Sequence, residues 1–153
     1  MILKIETGDI FNAILNRDVV FMHGCNAKGV MGSGIAKIVK DNYPHAYRAY
    51  KEIQKTQGLH LGQVIVAAPS TENEPTIVNA ITQENYGRDV NVKYADYDAI
   101  IIACEAVAKH FKGKEIHLPM IGGGLGNLDV KRLTAIYQAV FYDSDATLWL
   151  KEE

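Results

Sequence analysis

Cysteine is scarce in this chain: Cys25 and Cys104 are its two examples in 153 residues. They are too few and too far apart for a disulfide framework or a zinc site, so two free thiols in a reducing compartment are expected. Long hydrophobic runs are missing as well. No stretch approaches the roughly 18 apolar residues of a membrane span. The opening Met1-Ile2-Leu3-Lys4-Ile5-Glu6 carries charges where a signal peptide needs an unbroken apolar stretch. A soluble, cytoplasmic protein with no membrane partner is the expectation. Positive charge is also in short supply. The net charge of −2 gives no electrostatic grip on long nucleic acid. No cluster of residues suggests a metal, and no cofactor is expected. A small anion held by backbone N–H groups needs no net positive charge, so that ligand class stays open.

What is present is ordinary globular material, 48% hydrophobic and 22% charged. Short apolar runs alternate with helical patterns along the whole chain. Ile2 to Thr7, Val19 to Met22, Val64 to Ala68, Thr76 to Ile81 and Glu115 to Ile121 read as strands, and Thr147 to Leu150 as the strand that closes the sheet. Helices are expected from about Gly34 to Asp41, from Pro44 to a stop at Gly58, along Tyr94 to Phe111, and from Val130. No crossover helix separates Val64–Ala68 from Thr76–Ile81, so these two should pair antiparallel. The pattern implies one α/β domain over residues 1–153, a three-layer α/β/α arrangement on a mixed sheet. In such sheets ligands bind beyond the carboxyl ends of the strands.

Glycine gathers at two such places. "GVMGSG" runs from Gly29 to Gly34 and "IGGGLGN" from Ile121 to Asn127, each between a strand and a helix. Glycine lets a backbone approach a ligand closely, and a helix N-terminus behind it favours phosphate. The familiar nucleotide fingerprints fail here. A GxGxxG would need glycine at Lys37 or at Asn127, and a Walker Gly-Lys-Ser/Thr is absent. A tight turn with no ligand is the competing reading of either loop alone, and two such loops at one sheet edge favour a phosphate-bearing nucleotide whose diphosphate is gripped from both sides.

In order along the chain, "TGDIF", "HGCN", "GVMGSGIAK", "YPHAYRAYK", "ITQENYGRD" and "IGGGLG" resemble the macro domain, an ADP-ribose-binding fold. The resemblance is greatest to the short single-domain branch that includes the ADP-ribose-1″-phosphate phosphatases. It implies that Asp9 accepts from the adenine amino group with Ile10 beside it, although an Asp after Gly8 also suits a helix cap. It implies that Gly32, Ser33, Gly34, Ile35 and Ala36 face the diphosphate, and that Ile121, Gly122, Gly123, Gly124, Leu125, Gly126 and Asn127 wrap the other phosphate and the distal ribose. Asn26 would bond that ribose, and Gln83 and Tyr86 would edge it. Arg88 would reach a terminal phosphate or stand free in a loop, and Trp149 would lie near the adenine or in the core.

For catalysis the same resemblance singles out His23 as acid/base and Asn26 as positioner, in the His-x-Cys-Asn pattern His23 to Asn26. A core histidine with structural partners is the competing reading of His23. A related hydrolase branch uses a Lys and an Asp where this chain has Gln83 and Gly126, so its chemistry is not available through the same residues. Asp129 is a helix cap or a weaker base. The function implied is binding of ADP-ribose or its 1″-phosphate, with hydrolysis of the latter to ADP-ribose and phosphate. Non-catalytic reading of ADP-ribose, and its removal from protein or nucleic acid, are the alternatives.

Overall fold

Val20–Asn26 and Thr76–Gln83 are buried along almost their whole length, which requires cover on both faces of the sheet. The computed structural model describes residues 3–122 and 126–152. The elements run β1 (Lys4–Thr7), α1 (Ile10–Ile14), β2 (Val20–Asn26), α2 (Gly34–Asn42), α3 (Pro44–Thr56), β3 (Val64–Ala67), β4 (Thr76–Gln83), α4 (Tyr97–His110), β5 (Glu115–Pro119), α5 (Val130–Val140) and β6 (Asp145–Leu150). They form a six-stranded sheet of order β1-β6-β5-β2-β4-β3. The β1–β6, β6–β5, β5–β2 and β2–β4 pairs are parallel, and the expected hairpin of β3 on β4 is the antiparallel one.

Alternation along the strands divides the core into two layers. Val20 and Met22 of β2 and Ile116 and Leu118 of β5 pack with Ile100 and Cys104 of α4 and Leu133 and Tyr137 of α5. On the opposite face Phe21 packs with Ile10 and Ile14 of α1, Val39 of α2 and Ala46 of α3, while Cys25 meets Tyr50 of α3. Helices therefore cover both faces of a mixed sheet, giving the three-layer architecture.

Three details differ from the sequence reading. β6 does not close the sheet: it lies between β1 and β5, and β1 takes the edge. The four β1 residues Lys-Ile-Glu-Thr are all exposed, and charged side chains suit an unpaired edge. β2 runs on from Met22 to Asn26 because His23, Gly24 and Cys25 pair with Asn79, Ala80 and Ile81 of β4. Helix α1 has five residues, too few to display a periodicity, and begins where Asp9 Oδ1 accepts from Phe11 N at 2.9 Å. Ile2, where the first strand was expected to begin, lies outside the described residues.

Candidate functional site

Because the central strands are parallel, their carboxyl ends come out on one side. The segments after β1, β5, β2 and β4, which begin at Gly8, Met120, Ala27 and Glu84, line that edge in the order of the sheet. Ala27 N donates to Gln83 O at 2.9 Å, joining two of these segments directly.

Helix α2 opens at this edge, and its start is unlike the starts of α1, α4 and α5. Those three are capped by Asp9, Asp96 and Asp129, whose carboxylates accept from Phe11, Ala99 and Lys131 N–H groups. At α2 the cap is Ser33, which makes no side-chain capping bond, and no acid stands in the first turn. The first N–H groups of a helix have no partner inside it, and here nothing negative is built in to meet them. Gly32, Ser33 and Gly34 are exposed, and nothing stands within 4 Å of where a Cβ on Gly34 would project. Ile35 packs against the cluster that contains Ile10 and Ile14 of α1 and Val39 of α2. The result is a bare backbone donor set with a positive helix end behind it.

Each glycine loop is anchored by a buried tyrosine. Tyr50 of α3 donates to Asn26, reaching both its carbonyl and, at 3.0 Å, its Oδ1. Tyr137 of α5 accepts from Ile121 N at 2.9 Å and donates to Pro119 O at 3.1 Å. The sequence analysis singled out neither tyrosine as an anchor. The signal was there in the residue type, since a buried phenol needs a partner.

Three amide side chains assigned to the ligand by resemblance bond to backbone carbonyls of the loops instead. Asn26 accepts from Lys28 N and Val30 N and donates to Val30 O at 2.8 Å, so its amide closes the turn ahead of Gly29. Gln83 donates to Asn85 O at 2.7 Å. Asn127 donates to Asp89 O and Val92 O, tying the second glycine loop to the 89–92 segment. Asp9 is exposed, with one carboxylate oxygen on Phe11 N, so it does cap a helix. Ile10 is buried beside it. Tyr86 and Arg88 stand on the exposed 84–93 segment. Ile121 is buried, Gly122 and Gly126 pack on Ala95, and Gly123, Gly124 and Leu125 lie outside the described residues. Asp129 caps α5.

For His23 the structure favours the competing reading of the sequence, a core histidine with structural partners. It is 1% exposed, and its Nε2 lies 2.6 Å from Asn79 Oδ1. Asn79 Nδ2 donates to Ala46 O, which fixes the amide so that Oδ1 accepts and His23 donates. Phe21 stacks on the ring with centroids 5.7 Å apart. Burial drives the imidazole pKa down to about 4, partly offset by the Asn79 bond, so it is neutral at ordinary pH. Extension of β2 put it inside a paired strand, facing α3 rather than the open edge. It is a satisfied core histidine, and in this arrangement it has no access to a ligand.

Thr82 was not singled out by the sequence. Its hydroxyl is buried and has no hydrogen-bond partner among the described residues. It lies under the second glycine loop: a Cβ on Gly24 would stand 2.7 Å from both Thr82 Oγ1 and Ile121 Cγ2. Only glycine at 24 lets these three strands' ends come together. Among the described residues no group of His, Cys, Asp or Glu is placed to hold a metal ion, and no helix is long and apolar enough to cross a membrane.

The family model described as Macro domain matches residues 22–137. The DNA ADP-ribosyl glycohydrolase of Mycobacterium bovis is 29% identical over 129 residues, covering 81% of this chain and 36% of its own length. The ADP-ribose 1″-phosphate phosphatase of Aspergillus fumigatus is 33% identical over 91 residues, covering 60% of this chain and 40% of its own length. The chain thus spans well under half the length of either relative. In fold it is similar to the macrodomain of Mycobacterium tuberculosis DarG, with a TM-score of 0.77 and 24% identity over 96% of this chain and 97% of the other.

Proposed function

This chain belongs to the macro domain family, and from that premise we propose that it binds ADP-ribose and hydrolyses ADP-ribose 1″-phosphate, its residues 1–153 acting as a single such domain. One observation carries the binding reading. The N-terminus of α2, which follows the glycines after β2, has no side-chain cap and no acid in its first turn; α1, α4 and α5 each carry an Asp cap, and α3, uncapped as well, opens on Pro44. A diphosphate laid across Gly32 to Ala36 supplies the missing negative partner. The adenine end then lies at Asp9 and Ile10, and the distal ribose lies between the Asn26 turn and the second glycine loop. Asn26, Gln83 and Asn127 act by holding their loops in shape, and recognition falls to backbone groups.

In the hydrolytic step a water oxygen attacks phosphorus, the bond from phosphorus to the 1″ oxygen breaks, and ADP-ribose and inorganic phosphate leave. With His23 sequestered, acceleration comes from holding the substrate and from hydrogen bonds to its phosphates rather than from an imidazole. The burial of His23 equally favours a second reading, a binder of ADP-ribose without turnover.

One tube separates them. Calorimetric titration with ADP-ribose is followed by ADP-ribose 1″-phosphate with phosphate detection, and a parallel sample carries an ADP-ribosylated oligonucleotide. Binding with phosphate release supports the phosphatase. Binding alone supports the reader, and free ADP-ribose from the oligonucleotide supports a hydrolase like the mycobacterial relative. Absence of any binding removes the whole reading.

A further inference from the structure

A chain of side-chain hydrogen bonds runs up one face of β5 and crosses to β6, and the binding reading does not use it. Arg17, just past α1, donates to Ala13 O at 3.0 Å and pairs with Glu115 at 2.8 Å. Glu115 Oε2 lies 2.6 Å from His117 Nε2. His117 Nδ1 lies 2.8 Å from Trp149 Nε1. An indole N–H only donates, so Nδ1 must accept, and the proton of neutral His117 sits on Nε2, where it donates to Glu115. The direction of every bond is therefore fixed. Burial alone would raise the Glu115 carboxyl, but the His117 bond and the Arg17 charge outweigh it and hold its pKa below the usual value.

The far end of the chain is Gly8. The rings of His117 and Trp149 lie edge to edge across this bond, with centroids 6.1 Å apart and planes 28° apart. The opposite side of the indole lies under Gly8, where a Cβ would meet Trp149 Cζ3 at 3.4 Å. Gly8 N donates to Leu150 O at 2.9 Å, and Asp9 is the next residue. His117 is 4% exposed and Trp149 half-buried, so the chain links a buried imidazole to the rim of the site.

We propose that Arg17, Glu115, His117 and Trp149 form a positioning chain that sets the Gly8–Asp9 corner for the adenine end of the ligand. The proposal rests on the reading that places adenine at Asp9. The charged groups facing His117 are Glu115 and Arg17, with the Lys4–Asp145 pair beyond them at the same end of β5. None of these four side chains touches the reacting end, so the effect falls on affinity and adenine selectivity rather than on the chemical step.

Trp149 is the chain's only tryptophan, so its emission reports on this one place. The experiment compares wild type, His117→Gln, His117→Phe, Trp149→Phe and the double Phe variant. Each is titrated with ADP-ribose, AMP and inorganic pyrophosphate by calorimetry, with indole emission recorded where the tryptophan remains. Glutamine carries an acceptor for Trp149 and a donor for Glu115, whereas phenylalanine keeps bulk and bridges neither.

The expected result is an affinity for ADP-ribose and AMP weakened about three- to tenfold in His117→Phe, with altered emission, and restored to within about twofold in His117→Gln. Pyrophosphate binding should not change. Trp149→Phe and the double variant should lose no more than His117→Phe, because the pair acts as one unit. Wild-type affinity in a folded His117→Phe, or a loss that glutamine does not restore, overturns the chain while leaving the binding reading intact. If His117→Phe does not fold, wild-type affinity in Trp149→Phe overturns it in the same way. If wild type binds neither ADP-ribose nor AMP, the binding reading fails, and the positioning role falls with it.

Discussion

His23 Nε2 donates to Asn79 Oδ1 at 2.6 Å, and Asn79 passes the contact on to Ala46 O of α3. The pair therefore pins β2 and β4 to the helix layer. It also makes the fold sensitive to acid. Burial lowers the folded-state pKa of His23 to about 4 from 6.5. Above pH 6.5 both states are neutral and nothing is lost. Between pH 6.5 and about 4 only the unfolded chain takes up the proton, so falling pH draws the equilibrium towards unfolding. The contribution should reach about 3 kcal/mol by pH 4. Urea melts of wild type and His23→Gln at pH 7.5 and pH 5 test it: the pH dependence of wild type should exceed that of the variant by close to one proton.

Ser33→Asp should separate stability from binding. A carboxylate at the start of α2 would cap the helix and meet its dipole, raising stability by about 0.5–1 kcal/mol. The same charge would take up the donors proposed for the diphosphate and repel it. Thermal melting should show the gain, and calorimetry should show ADP-ribose binding weakened about tenfold or more. A variant that gains stability and binds as before would remove α2 from the site.

Asp9 has two duties in this reading, and Asp9→Ser divides them. Serine keeps the cap now made by Asp9 Oδ1 on Phe11 N and so should leave the melting temperature close to wild type. It lacks the acceptor-only carboxylate proposed for the adenine amino group. Affinity for ADP-ribose should fall about three- to tenfold, while an inosine analogue, which lacks that amino group, should lose little.

Gly24→Ala tests how tightly the strand ends are packed. The new methyl would stand 2.7 Å from Ile121 Cγ2 and from Thr82 Oγ1. Ile121 cannot simply retreat, because Tyr137 holds its N–H. A loss of about 1–3 kcal/mol is expected from overpacking, together with weaker ADP-ribose binding. Adding Thr82→Ala should recover part of the stability, which a denaturant melt of the single and double variants will show.

Periodicity made most of this architecture legible. The fully apolar Val19–Met22 run required cover on both faces, and α3 and α5 followed from apolar spacing with Pro44 and Asp129 at their starts. The glycine loops marked the strand-end edge proposed for the ligand, because few other residues let backbone approach a phosphate so closely. What periodicity did not carry was length and order. Five-residue α1 shows no period, and β2 continues through Gly24 and Asn26, which carry no apolar signal, because β4 supplies the pairing.

By itself the sequence determined the α/β class, the two glycine loops and the side of the sheet on which they lie, since these depend on spacing and on residues either side of a strand end. Tertiary structure alone decided which side chains face that edge. Asn26 and Gln83 bond within their own loops, Asn127 bonds across to the 89–92 segment, and His23 turns to Asn79. It also joined Arg17, Glu115, His117 and Trp149, up to 132 positions apart in the chain, into one line of hydrogen bonds. A side chain's partner depends on what the neighbouring strand and the covering helix bring alongside, and no local pattern encodes that.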